Sequence, residues 1–171
     1  MKKIMFFALM SFVLISCGEK SFDENLQKSY EEMEKNILYS ALVCDKVSST
    51  WRTAIYDHKD HNGDYCSDFN DALRTLMRSY RNNGIIDSIQ AHKDRMEKFA
   101  SKLNNPPSSR KDCYNDYIAI VAEASSISRM ATEPSGSLQS YNNQTNEAYE
   151  NIRKMIDQFK IKYGEFLNKD E

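Results

Sequence analysis

From Leu26 to Ile55 apolar residues recur at spacings of three and four: Leu26, Tyr30, Met33, Ile37, Ala41, Cys44, Val47, Trp51 and Ile55. This is the 3.6-residue period of an amphipathic α-helix and not the two-residue alternation of a half-buried strand. Ser21-Phe22-Asp23-Glu24, just ahead of the stripe, has the form of a capping box, with Ser21 as N-cap. Asn62-Gly63 ends the pattern, so one helix is expected to run to about Asp60, a rod of about 58 Å at 1.5 Å per residue.

The rest of the chain repeats this theme. A second helix opens at Ser67, buries Phe69, Leu73, Leu76 and Tyr80, and stops at Asn82-Asn83-Gly84. Gly84 suits a left-handed cap, and the apolar phase slips across it before Ile86, Ile89, His92, Met96, Phe99 and Leu103 resume. Asn104-Asn105-Pro106-Pro107 stops that run and starts a third helix carrying Cys113, Tyr117, Ile120, Ala124, Ile127 and Ala131. After Pro134-Ser135-Gly136-Ser137, a last helix buries Leu138, Tyr141, Ala148, Ile152, Met155, Phe159, Tyr163 and Phe166.

With five glycines and three prolines, turns are few. The expected fold is all-α, an antiparallel up-down-up-down four-helix bundle with its second helix broken near Gly84. The termini then share one end. The third helix, at about 37 Å, is the shortest rod. The first helix and the Ser67–Asn82 segment should therefore project beyond the Pro134 turn.

The first residues carry an address. Lys2 and Lys3 precede an uncharged apolar run from Ile4 to Ile15, the make-up of a secretory signal and too short for a bilayer-spanning helix. Leu14-Ile15-Ser16-Cys17 resembles the lipobox of bacterial lipoproteins. The resemblance implies cleavage before Cys17 and attachment of fatty-acyl groups such as palmitate to its sulfur and new amine. Residues 1–16 would then be signal peptide, 17–21 the lipidated Cys17 with a short tether, and 22–168 the helical bundle domain. The mature protein would sit in the cell envelope, anchored to a membrane, the outer one in a two-membrane host.

Charge and cysteine content narrow the function. The full chain has a net charge of −2, and losing Lys2 and Lys3 makes the mature part more acidic. No segment supplies the basic face a nucleic-acid binder needs, so nucleic acid is not an expected partner. With Cys17 lipidated, Cys44, Cys66 and Cys113 remain, at mid-rod, far tip and near end. A disulfide needs Cα atoms within about 7 Å, so three free thiols are expected.

The densest cluster of potential ligands is the far tip, where His58, Asp60, His61, Asp64 and Cys66 are candidate metal ligands. Their spacing matches no zinc motif, and an EF-hand alignment places His58 first and Phe69 where the bidentate carboxylate belongs. The alternative is a polar, solvated, helix-ending turn, and no cofactor is expected. Trp51, Tyr141, Asn142 and Asn143 form a candidate partner-binding surface if the rings are exposed, since aromatic side chains with amide neighbours suit interfaces. Catalytic templates are absent: there is no Gly-x-Ser-x-Gly, Cys-x-x-Cys or His-Glu-x-x-His, and none of the three histidines follows a glutamate by three.

Several segments of the mature chain also resemble an uncharacterised family of helical bacterial proteins. They are Ser49-Thr50-Trp51 with Ala54-Ile55, Asp68-Phe69-Asn70-Asp71-Ala72-Leu73, Asn105-Pro106-Pro107 and Pro134-Ser135-Gly136-Ser137-Leu138. That resemblance implies no activity or site residues. The functional expectation is a membrane-tethered, non-enzymatic lipoprotein that presents its distal tip to another envelope component. A metal- or small-molecule-binding lipoprotein using His58 to Cys66, and a phage-exclusion lipoprotein, are the alternatives.

Overall fold

The computed structural model describes the backbone of residues 2–167 and the side chains from Gly18 to Leu167. Five helices pack together: α1 (Lys2–Asp57), α2 (Phe69–Asn82), α3 (Ile85–Ser101), α4 (Lys111–Thr132) and α5 (Leu138–Leu167). A 3-10 turn at Ser108–Arg110 leads into α4. Helix α1 touches all four others and forms the spine of the molecule. The described residues contain no strand; Lys59 and Tyr65 form one isolated antiparallel bridge. None of the helices is long and apolar enough, among the described residues, to cross a membrane.

Helix α1 buries more than its apolar stripe. Phe22, Ser29, Asn36, Val43 and Thr50 form one buried row, and Leu26, Met33, Ser40, Val47 and Ala54 form another. Both repeat every seven residues, the period of a seam that winds around neighbouring helices. Four of these ten positions are polar. Ser29 Oγ donates to the carbonyl of Met96 at 2.8 Å and accepts from Tyr117 Oη at 2.8 Å. One heptad on, Asn36 Nδ2 donates to the carbonyl of Ile89 at 3.0 Å, and Ser128 Oγ lies 2.6 Å from Asn36 Oδ1.

These bonds set direction and register. Ser29 and Asn36 meet Met96 and Ile89, so α3 runs against α1. Asp23, Ser29 and Asn36 meet Arg110, Tyr117 and Ser128 in ascending order, so α4 runs alongside α1. Glu34 and Ser48 meet Lys160 and Asn142, so α5 runs against it. Helix α4 stops at Thr132, one turn above the Asn36–Ser128 contact, whereas α1 continues to Asp57. Helix α1 thus continues well past the end of α4, while the Pro134 turn climbs beside α2 and α5 begins near the level of Trp51.

The break near Gly84 is also present. Helix α2 ends at Asn82, Gly84 takes φ +78°, and α3 begins at Ile85. A side chain at that φ would be strained, so glycine lets the chain restart a helix in a shifted phase.

Three helix ends differ from the sequence expectation. The Ser21 capping box does not form, because α1 passes unbroken through residues 17–21. Tertiary contacts replace the cap: Asp23 receives Arg110, and Ser109 donates to Glu19. Helix α1 stops at Asp57 and not near Asp60, since His58 turns left-handed at φ +53°. Helix α2 is capped by Asp68 and not Ser67, with the Asp68 carboxylate accepting from Asn70 N–H at 2.9 Å. A carboxylate is the stronger acceptor at the positive end of a helix.

The core is divided along the axis. One cluster, near the chain's Gly18 end, gathers Leu26, Met33, Met96, Tyr117 and Phe159. A second gathers Val47, Trp51, Leu76, Ile89 and Tyr141. A third, small one joins Ala54, Cys66 and Ala72. Each free cysteine lies in a different cluster: Cys113 in the first, Cys44 in the second and Cys66 in the third.

Candidate functional site

The segment between α1 and α2 folds as a small hairpin. Cys66 N–H donates to the His58 carbonyl at 2.9 Å, and Asp60 N–H donates to that of Asp64 at 2.8 Å. The Asp60 carboxylate closes the turn by accepting from the amides of Asn62 at 2.8 Å and Asp64 at 3.1 Å. Gly63, at φ +88°, supplies the left-handed residue such a turn needs.

This geometry scatters the candidate metal ligands. Asp60 is occupied by its own turn, and Cys66 is buried against Ala54 and Ala72. The His58 ring faces the Tyr65 ring, with centroids 6.3 Å apart. His61 lies against α2, sharing a groove with Thr75, Arg78 and Ser79, and Asp64 is exposed. Among the described residues no three His, Cys, Asp or Glu side chains come together to hold a metal ion. The expected clustering of His58, Asp60, His61, Asp64 and Cys66 is therefore corrected. A hairpin alternates its side chains between two faces, whereas the helical spacing assumed from the sequence would have kept His58 and His61 on one. The hairpin also lies back along α2 and does not extend the rod.

The expected aromatic surface is corrected as well. Trp51 and Tyr141 are 3% and 1% exposed, with ring centroids 5.9 Å apart inside the second core cluster. Tyr141 Oη donates to the Met130 carbonyl at 3.1 Å, and burial pushes its hydroxyl far above the usual tyrosine range. Phe69 stacks on Trp51 at 6.0 Å and covers it. Asn142 accepts from Ser48 Oγ at 2.7 Å, which leaves Asn143 as the exposed member of the set. Helix α5 runs unbroken through the polar residues 140–146. Ser137 and Ser140 cap its start reciprocally, and Thr145 Oγ1 turns back to the Tyr141 carbonyl at 2.9 Å.

The exposed aromatic residues lie farther out. Tyr56 and Tyr65 are 73% and 79% exposed, and Ile55 and Phe69 are also partly exposed. Ile55 and Tyr56 lie in the last turn of α1, Tyr65 in the hairpin and Phe69 at the first position of α2. The spacing of the stripe counted Ile55 and Phe69 as core, and Tyr56 and Tyr65 fell outside every apolar pattern. A second apolar strip, Leu38 with Leu42, lies midway along the outer face of α1.

At the opposite end the chain is held tightly. The side chain of Cys17 lies outside those described. Next to it, a side chain added at Gly18 would meet Pro107 at 3.9 Å. Arg110 Nε and Nη2 donate to the two oxygens of Asp23 at 2.9 and 3.2 Å, a buried fork. The same guanidinium lies 3.9 Å over the Phe166 ring, tying the start of α4 to the end of α5. Residues 18–21 continue α1 as helix, and Ser109 Oγ donates to Glu19 there.

Glu32 joins α1 to α3. His92 Nδ1 lies 2.6 Å from its Oε2, Arg95 Nε donates to the same oxygen at 2.7 Å, and Tyr39 stacks on the His92 ring at 5.5 Å. Burial raises the Glu32 pKa, but the hydrogen bonds from His92 and Arg95 outweigh it and hold the carboxyl below the usual range. His92 is thus a packed, hydrogen-bonded residue at the edge of the apolar stripe.

No protein-family model, no curated protein and no solved structure matches this chain.

Proposed function

We propose that the chain is a non-enzymatic lipoprotein of the cell envelope, anchored to a membrane by acyl groups on Cys17 and binding an envelope protein with its opposite end. In this reading α1 to α5 make an antiparallel up-down-up-down four-helix bundle, with α2 and α3 counting as one interrupted rod. The observation that carries the proposal is the exposure of Tyr56 and Tyr65, with Ile55 and Phe69, at the end away from Gly18. Residues 18 to 57 of α1 would hold that end about 58 Å from the anchor.

Physical considerations support the division of labour. The four side chains offer a partner apolar area with hydroxyl handles, and tyrosine is among the residues that dominate interface energies. The packed junction of Glu19, Asp23, Ser109 and Arg110 leaves little slack between Cys17 and the bundle, so an anchored rod would keep its orientation.

The test uses the full chain expressed in its host. Cys17→Ala should abolish labelling by an alkyne fatty acid and move the protein out of the membrane fraction. Tyr56→Ser/Tyr65→Ser should leave labelling and melting temperature unchanged and lower recovery of the co-purifying partner at least tenfold. Unchanged recovery from the double variant would overturn the proposal, as would undiminished labelling of Cys17→Ala.

A further inference from the structure

Helix α4 ends well below the top of α1, and Pro134 prevents it from continuing. The shortfall opens a groove of about 470 Å³ between α2 and the Thr132-Glu133-Pro134 corner. Arg74, Arg78 and Arg81 line its α2 side, one helical turn apart. Arg74 is paired with Asp71. Arg78 and Arg81 have no carboxylate within ion-pair distance among the described residues. Asn70 and Asn82 add side-chain amides, the Thr132 hydroxyl donates back to the Ser128 carbonyl at 3.0 Å, and Glu133 is the one acidic residue in the wall.

A second groove of about 460 Å³, between α3 and α4, shares Thr132 and Glu133 with the first. It carries Arg129, likewise without an ion pair among the described residues, and Lys93, which is paired with Glu97 at 3.3 Å. The two grooves meet at Thr132 and Glu133, so a chain of net charge −2 sets Arg78 and Arg81 in one groove and Arg129 in the adjoining one, with Glu133 as the one carboxylate lining either. Holding like charges together is unfavourable unless something of opposite sign visits them.

We infer that the groove beside α2 binds a small ligand bearing two neighbouring phosphate groups, held by Arg78 and Arg81, with Arg129 adding positive charge from the adjoining groove. Guanidinium forks match phosphate oxygens in bidentate geometry, and residues three apart on a helix, with Cβ atoms about 5–6 Å apart, can bring two long side chains onto neighbouring phosphates. A nucleic acid fits poorly, because no aromatic side chain lines the groove for bases to stack on. The headgroups of an anchoring membrane fit poorly too. Thr132 stands level with Ser40 of α1, about 33 Å along the helix from Gly18. The inference rests on neither the acylation of Cys17 nor the Tyr56–Tyr65 surface, so it stands or falls independently of the proposed function.

Titration calorimetry of the full chain in detergent, with inorganic pyrophosphate as the probe, tests it. Saturable one-to-one binding is expected, weakened at least tenfold in Arg78→Gln/Arg81→Gln and weakened less in Arg129→Gln. Arg153→Gln, an exposed change on α5, should leave it intact, and circular dichroism should show all variants folded. Orthophosphate should bind at least tenfold more weakly than pyrophosphate. No saturable pyrophosphate binding, or binding indifferent to Arg78 and Arg81, would overturn the inference. So would binding confined to phosphatidylglycerol vesicles, which would make the groove a membrane-contact surface instead.

Discussion

Asn36 on α1 is joined to Ile89 on α3 by a buried hydrogen bond of 3.0 Å from its side-chain amide to the backbone carbonyl. Its other side-chain atom, Oδ1, meets Ser128 on α4, so one residue ties three helices at a single level. A polar residue buried in a helical seam typically costs stability and secures register. Asn36→Ala leaves the Ser128 hydroxyl without this partner and opens a cavity. Ser128 Oγ keeps its bond to the Ala124 carbonyl, so the expected loss is about 2 kcal/mol, from two buried hydrogen bonds worth about 1 kcal/mol each. Urea denaturation measures it, and a loss below about 0.5 kcal/mol would contradict the role assigned to Asn36.

The fork between Arg110 and Asp23 should be the most sensitive contact at the Gly18 end. Arg110→Ala strips two hydrogen bonds from a buried carboxylate and removes the cation lying over Phe166. Breaking a buried pair on one side costs about 3–5 kcal/mol, and the expected loss is at the lower end because Arg110 retains some solvent contact. In a double-mutant cycle with Asp23→Asn, the two changes should be clearly non-additive. Additive losses would mean that the pair is not energetically coupled.

Glu32 gives the fold an acid limit. Its carboxyl ionises below the usual range in the folded protein, so it binds protons more weakly there than in the unfolded chain. Its stabilisation is therefore fully present above the unfolded carboxylate pKa and is lost as pH falls through the depressed folded value. Wild type should exceed Glu32→Gln in urea midpoint at pH 7, and the gap should close by about pH 3. A gap that widens on acidification would reverse the assigned sign.

Thiol chemistry reports on core and anchor together. Burial pushes the Cys113 thiol up to about 12, and Cys44 is raised for the same reason. Both should resist a thiol reagent at pH 8 until the protein unfolds. Denatured, unreduced mature protein should then titrate three thiols, from Cys44, Cys66 and Cys113. Four would mean that Cys17 is unacylated, and one would mean that two of the three are paired.

The all-helical fold, the break at Gly84 and the short α4 are legible because each rests on local chemistry: period, glycine and proline. The buried row Phe22, Ser29, Asn36, Val43 and Thr50 is not, because three of its five members are polar and counting apolar residues passes over them. Its seven-residue spacing is the signal that would have found it. The site readings failed for a different reason. Trp51 and Tyr141 needed a neighbour's position to be recognised as inward-facing, and the hairpin at 58–66 needed backbone bonds between residues far from helical spacing. The arginine groove was hidden in the same way. Arg78 and Arg81 line a groove, with that of Arg129 adjoining it, only because α4 stops where it does.

The central claim is that the end of the molecule away from Cys17 is the one that meets a partner. A photo-crosslinking residue placed singly at Lys28, Leu42, Tyr56 or Tyr65, followed by irradiation of intact cells, tests it most directly. Lys28, Leu42, Tyr56 and Tyr65 are all exposed, and the first three mark successive levels along α1 up to the hairpin that bears Tyr65. The account predicts one discrete adduct of the same mass from Tyr56 and Tyr65, and none from Lys28 or Leu42. An adduct from Lys28 or Leu42 with none from Tyr65 would contradict it.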